Sequence, residues 1–148
     1  MRFEMIPGEP EAEVVEAILK PLQRYNREKA GPFFAARELP EHAAVPLHLV
    51  VYDDGGAVAG GAIGESQFSW MKVKYLAVRE DHRGRGTGTK LMDLAEAEAR
   101  RRGCKYVVLD TMSYQAPEFY SKLGYRVAGE IADWDSHGGT KFWFVKTL

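Results

Sequence analysis

The chain has 148 residues, 45% of them hydrophobic and 28% charged, with a net charge of −1. That length suits one globular domain able to bury roughly two-thirds of its unfolded surface. The near-zero charge gives no electrostatic case for a nucleic acid or an anionic membrane as partner. No apolar run approaches the length needed to span a bilayer. The single cysteine, Cys104, has no internal disulfide partner, and the glutamates at 4, 9, 11 and 13 do not read as a secretory leader, so a reducing cytoplasm is expected.

Glu11 to Lys20 reads as a helix, with Val14, Val15, Ile18, Leu19 and Leu22 recurring at three- and four-residue spacing. Pro21 is expected to break or kink it, because proline lacks an N–H and clashes with the preceding turn. A second short helix, Leu22 to Lys29, is expected to stop at Gly31-Pro32, with an irregular stretch from Phe33 to Pro46. Leu47–Tyr52 and Ala57–Ile63 read as strands joined by a tight turn at Asp53-Asp54-Gly55-Gly56. Trp70–Val78 is a third strand. A helix is expected over Gly88–Arg102, its apolar stripe marked by Leu91, Leu94 and Ala95, and Gly103 ends it. Tyr106–Leu109 is a wholly apolar strand of the kind buried on both faces. A brief helix over Ala116–Leu123 has Pro117 near its start and Gly124 past its end. Tyr125–Ile131 and Lys141–Val145 are the last strands, joined by the loop Asp133 to Thr140. Strand, helix and strand between residues 70 and 109 imply one parallel crossover in a mixed sheet. Cys104, at a helix-to-strand junction, reads as a buried structural thiol.

The most informative segment lies between the third strand and its helix. Arg83-Gly84-Arg85-Gly86-Thr87-Gly88-Thr89 puts three glycines in five residues at a helix start. Glycine lets main-chain N–H groups approach an anion, and the first N–H groups of a helix lack internal partners. Arg83 and Arg85 supply fork-shaped donors that suit phosphate. The dinucleotide pattern G-x-G-x-x-G fails at Thr89 and Leu91, and the P-loop pattern fails at Lys90.

What remains, R-x-x-G-x-G at Arg83, Gly86 and Gly88 preceded by Leu76-Ala77-Val78, resembles the pyrophosphate signature of the GNAT superfamily of acyl-CoA-dependent N-acetyltransferases. The likeness is strong from about residue 45 onward and weak before it. It implies an α/β (α+β) single-domain fold over residues 1–148, with a mixed central sheet of six to seven strands and helices on both faces. It further implies acetyl-CoA as co-substrate, no metal, and transfer of the acetyl group to a primary amine by direct attack in a ternary complex. Gly84, Arg85 and Thr87 to Thr89 would join Arg83 and Gly86 in holding the pyrophosphate. Leu76, Ala77 and Val78 would pair their main chain with the pantetheine arm, one N–H polarising the acetyl carbonyl. Ala116 to Tyr125 resembles the family's second motif, which makes Tyr120 the expected proton donor to the departing thiolate. The family often has an asparagine just before this helix; here Ser113 or Gln115 stands in that region.

A free alkyl amine has a pKa near 10.4, so it must lose a proton before attack. Glu65, at the end of the second strand, and Asp110, at the C-terminal end of a buried strand, are both candidates for taking it. His82 and His137 are expected to be surface or loop residues, and His42 and His48 have no partners at metal-ligand spacing. Trp70, Trp134, Tyr114, Phe33 and Phe34 are candidates for lining an acceptor pocket, yet aromatics there also suit core or lid packing. Phe142-Trp143-Phe144 fits either a homodimer interface or a core strand. A small-molecule amine is the expected partner. The alternatives are a protein lysine or N-terminal acetyltransferase, and a non-catalytic acyl-CoA-binding regulatory module.

Overall fold

The computed structural model describes residues 1–148, which form two compact units, Met1–Ala43 and Ala44–Leu148. In the first unit one helix, α1 (Ala12–Lys29), continues through Pro21 without a break. The expected break is therefore corrected. Proline at 21 removes a single donor, the one that would reach the Ala17 carbonyl. No residue of α1 is buried, so water can take that donor's place. α1 ends at Lys29, just before Gly31-Pro32 as expected, and Gly31-Pro32 then opens a further helix, α2 (Gly31–Arg37), with proline in its first turn, where an N–H would be unpaired anyway. The stretch expected to be irregular is thus partly helical, and a 3-10 turn follows at Pro40–His42.

The second unit holds a six-stranded sheet of β1 (Val45–Tyr52), β2 (Val58–Gln67), β3 (Trp70–Val78), β4 (Tyr106–Met112), β5 (Arg126–Ile131) and β6 (Lys141–Thr147). Its spatial order is β1-β2-β3-β4-β6-β5. Helix α3 (Thr87–Arg101) connects β3 to β4, the one parallel pair, and α4 (Pro117–Lys122) lies between β4 and β5. The expected mixed α/β sheet is present. The β1–β2 turn forms because Asp53 Oδ1 accepts N–H bonds from Gly55 at 3.0 Å and Ala57 at 2.9 Å. β2 runs four residues past its expected end. Gly64 to Gln67 carry little strand propensity, but pairing of Gly64 to Ser66 with both β1 and β3, and of Gln67 with β3, holds them extended.

A bulge shapes the centre of the sheet. Ile63 faces Tyr75 and Gly64 faces Val73, so Lys74 is an extra residue in β3. Before it, Met71 and Val73 point into the core; after it, Leu76 and Val78 are the half-buried positions. One inserted residue shifts the period-two alternation by one and bends the strand. The bulge requires glycine at 64, where a Cβ would run into the Lys72 carbonyl.

The core gathers Met71 and Val73, Met92, Ala95 and Ala99 of α3, Val107 and Leu109, Tyr120, Tyr125 and Phe144. Leu94, expected in the α3 stripe, is 43% exposed; the buried face runs through Leu91, Met92, Ala95, Glu96 and Ala99 instead. Glu96 is tolerated there because Lys146 Nζ donates to both its oxygens at 2.8 Å and Tyr125 Oη donates at 3.1 Å. Arg102 ties the end of α3 to the sheet by donating to the Val45 and Pro46 carbonyls and to Ser66 Oγ. Cys104 is buried, and burial raises its thiol pKa. No helix is long and apolar enough to cross a membrane.

Gly64→Ala is expected to destabilise by roughly 1–3 kcal/mol, as overpacking does. Gly129→Ala, where an added Cβ meets nothing within 4 Å, serves as the control. Denaturant unfolding compares the two, and equal midpoints would mean that the bulge does not need the missing side chain.

Candidate active site

β3 and β4 pair at only three places: Trp70 with Tyr106, Met71 with Val107, and Lys72 with Val108. Beyond these they part. From Val73 to Val78 β3 keeps β2 on one side and has no strand on the other; from Leu109 to Met112 β4 keeps only β6. The result is a wedge whose two walls are strand edges with unpaired main-chain groups. The parting begins at Val73, one residue before the Lys74 bulge. A cleft of about 1050 Å³ fills the wedge, lined by residues 73–78, the glycine loop, residues 109–112, and Gln115, Phe119 and Tyr120.

The loop at its mouth is built as the sequence suggests. Gly84 and Gly86 have φ of +71° and +80°, values that side chains strain to reach. Gly86 is the N-cap of α3, and no side chain caps that helix. Its first-turn N–H groups therefore have no partner within the helix and none from a capping group. Gly88 lies where a Cβ would approach Phe119 Cζ at 3.3 Å, so glycine allows α3 to begin close against α4. Arg83 Nε donates to the Val78 carbonyl at 2.9 Å and closes the base of the loop.

Arg83, Gly84, Gly86, Thr87, Gly88 and Thr89 line the cleft, as do Leu76, Ala77 and Val78. Arg85 lines a separate groove of about 290 Å³, with Lys90, Val51, Leu91 and Leu94. Gln115 is on the cleft wall, its Oε1 accepting from the Thr111 hydroxyl and the Met112 amide, both at 2.9 Å. Ser113 is not among the lining residues. Its Oγ accepts from the Thr140 amide, and its own amide donates to the Thr140 carbonyl, so it anchors the 133–140 loop.

Tyr120 is the one buried residue of α4, 9% exposed, ringed by Phe119, Tyr125 and Phe144 with centroids 5.1–6.1 Å away. Phe119 on the same helix and Leu123 at its end are only half-buried. Burial pushes the Tyr120 phenol above its ordinary value, which keeps it a proton donor. Asp110 lies on the cleft wall with Lys141 Nζ at 2.9 Å and Lys72 Nζ at 3.7 Å. Glu65 is not on the wall; it holds Lys74 Nζ, which is, at 2.7 Å. The two carboxylates are therefore both occupied by lysines, and only Asp110 shares the cleft with Tyr120. Tyr114 also lines the cleft, whereas Trp134 packs edge-on against Trp143 with the Lys141 ammonium over both rings. His137 is an exposed loop residue, as expected.

His82 departs from expectation. Its side chain is 25% exposed, lines the cleft, and lies with Nε2 2.8 Å from Arg79 Nη2. A guanidinium can only donate, so Nε2 accepts. Arg79 also reaches Asp53, 26 residues earlier, at 2.8 Å. No local spacing signals that contact, which is why the sequence is silent on it.

Burial, joined for Tyr125 by the Glu96 carboxylate, raises the phenols of both Tyr120 and Tyr125 above 10.0. Unfolded phenols ionise near pH 10 while these keep their protons. Their stabilisation is complete below about pH 10 and is lost as pH rises toward the folded values. The melting temperature is expected to fall more steeply between about pH 9 and pH 11 in the parent than in Tyr125→Phe. Parallel slopes would assign the alkaline transition to other groups.

The comparisons with known proteins agree with this geometry. A family model described as an acetyltransferase (GNAT) domain matches residues 46–127. Blasticidin-S acetyltransferase of Streptomyces morookaense is 39% identical over 131 residues, covering 86% of this chain and 96% of that protein. Streptothricin acetyltransferase of Streptomyces lavendulae is 30% identical over 152 residues, covering 83% of this chain and 79% of that one. An acetyltransferase from Bacillus cereus, solved by crystallography, superposes with a TM-score of 0.74 at 29% identity over 97% of this chain and 98% of its own. The wedge between β3 and β4, the glycine loop at its mouth and these likenesses lead to one conclusion: the chain belongs to the GNAT family and is an acetyltransferase.

Proposed function

We propose that this acetyltransferase moves the acetyl group of acetyl-CoA to a primary amine of a small-molecule acceptor, an antibiotic of the kind its relatives are named for. The observation that carries this reading is the wedge: a free β3 edge leads directly to a glycine loop with uncapped helix amides. Such amides and the N-terminal end of a helix dipole suit a pyrophosphate. The open space around Gly84 and Gly86 fits it, since even an added Cβ there would meet no atom within 4 Å. The acceptor class is supported by the names of two relatives that share most of this chain's length.

Acetyl-CoA, when bound, supplies the activated thioester. The main chain of residues 84–89 and the guanidinium of Arg83 hold its pyrophosphate, with Arg85 and Lys90 beside the neighbouring groove. The β3 edge at Leu76 to Val78 pairs with the pantetheine arm, and one of its N–H groups polarises the acetyl carbonyl. A donor of that kind contributes about 2.7–4 kcal/mol to a transition state. Asp110, on the cleft wall, draws the amine proton through a water, while Glu65 keeps Lys74 in place. Nitrogen then bonds to the carbonyl carbon, the carbon–sulfur bond breaks, Tyr120 gives its phenolic proton to the departing sulfur, and the excess proton left on the nitrogen passes through water to restore the phenol. Gln115 and Ser113 order the turn beside it.

Titration calorimetry with acetyl-CoA and with coenzyme A tests the cofactor half. Saturable one-to-one binding is expected, and Gly86→Val is expected to abolish it. Absence of binding in the parent protein would overturn the reading of the cleft. Release of free thiol with blasticidin S, a streptothricin, a polyamine and a lysine peptide tests the acceptor half. Turnover confined to the peptide would move the assignment to a protein acetyltransferase. Tyr120→Phe is expected to lower kcat by about 100-fold or more with coenzyme A affinity nearly unchanged. Full turnover in that variant would remove the phenol from the mechanism.

A further inference from the structure

Arg79 follows the last residue of β3 and stands between the β1–β2 turn and the glycine loop, off the cleft wall. Its Nε and Nη2 donate to Asp81 at 2.7 and 3.0 Å. Nη2 shares its two N–H groups among three acceptors, that Asp81 oxygen, Asp53 Oδ2 at 2.8 Å and His82 Nε2 at 2.8 Å, and Nη1 reaches the Val58 carbonyl at 3.4 Å. Its backbone N–H donates to the Ala59 carbonyl at 2.8 Å. Two carboxylates neutralise this guanidinium, and their hydrogen bonds raise its pKa further while lowering those of Asp53 and Asp81. It is thus a strut and not an anion ligand.

The strut is attached to the loop. His82, which Arg79 grips, forms part of the cleft wall, and its carbonyl accepts from the Thr87 hydroxyl at 3.4 Å at the first residue of α3. Between these two points lie Gly84 and Gly86, both at positive φ. Glycines do not fix the direction of their own amides, because so much backbone space is open to them. That direction must be imposed from outside the loop.

We propose that Asp53 and Arg79 are positioning residues: through His82 and Thr87 they fix the aim of the loop amides at the pyrophosphate, and so couple the β1–β2 turn to coenzyme A affinity. The inference rests on the proposed binding of coenzyme A in this cleft. Asp53 belongs to a turn that lines no part of the cleft.

Asp53→Asn isolates the clamp. Its remaining oxygen can still accept from Gly55 and Ala57 as Oδ1 does now, while an amide N–H₂ faces the guanidinium. Coenzyme A is expected to bind roughly tenfold more weakly in this variant and in Arg79→Ala. The double variant is expected to be no weaker than the worse single one, because both cut one chain of contacts. Arg79→Lys is not expected to rescue, since one ammonium cannot span Asp53, Asp81 and His82 together. In steady state the KM for acetyl-CoA rises, and the acceptor KM and kcat stay at parent values. An unchanged coenzyme A affinity in Asp53→Asn, even with a lower melting temperature, would reduce the clamp to a structural tie and overturn the proposal. Hydrogen exchange separates this from failure of the cofactor reading. Amides 82–89 are expected to exchange faster in Asp53→Asn without any ligand, and unchanged exchange there overturns the clamp whatever the protein binds.

Discussion

Everything at the candidate site depends on two neighbouring strands that stop pairing. β3 and β4 hold each other through Lys72 and Val108 and then part. Had they stayed paired, both edges would be satisfied and no cleft would exist. An open pair of edges in the middle of a sheet exposes main-chain donors and acceptors that water or a ligand must meet. The opening is stabilised locally, by the Lys74 bulge that bends β3 and by the bare backbone at Gly64 that admits it.

The rest of the unit braces the two walls. β3 is supported from behind by β2, and β4 by β6 along its whole length. The buried face of α3 packs with Met71, Val73 and Val107 into one core, and the Arg102 guanidinium joins the helix end to the β1 carbonyls. Under the far wall, the Glu96–Lys146–Tyr125 group links α3 to β6 and to the residue just before β5. A buried carboxylate with all its partners in place is rigid, because losing any one partner strands a charge. A wedge held open between stiff walls needs little rearrangement to admit a flexible, chain-like molecule.

Tyr120 shows how packing selects chemistry. Its ring belongs to the aromatic cluster with Tyr125 and Phe144, and the same residue lines the cleft. Burial that serves stability also raises the phenol pKa, so the ring that packs this cluster keeps its proton where it meets the cleft. Asp110 and Glu65 are held differently, each in an ion pair with lysine, and of the two only Asp110 lines the cleft.

Local chemistry made much of this legible in the sequence. Glycines at 84, 86 and 88 with arginines beside them announce a loop at a helix start, and apolar runs between turn residues announce the strands. The crossover from β3 to β4 followed from strand, helix and strand in succession. Other features were decided only by the folded molecule. Pro21 passes through α1 because the helix is solvated, and Gly64 to Ser66 are strand because two neighbours pair with them. Leu94 faces away from the core although its spacing nearly matches the stripe, since a helical residue one place off turns by about 100°. The pairing of Asp53 with Arg79 and the capture of Asp110 by Lys72 and Lys141 join residues far apart in the chain, and no periodicity encodes such contacts. The sequence by itself determined the kinds of element and the glycine-rich loop at a helix start, because propensity and glycine freedom act within a few residues. Only the tertiary structure decided where the strands part and which charges are already paired, because those depend on neighbours that the chain brings together after it folds.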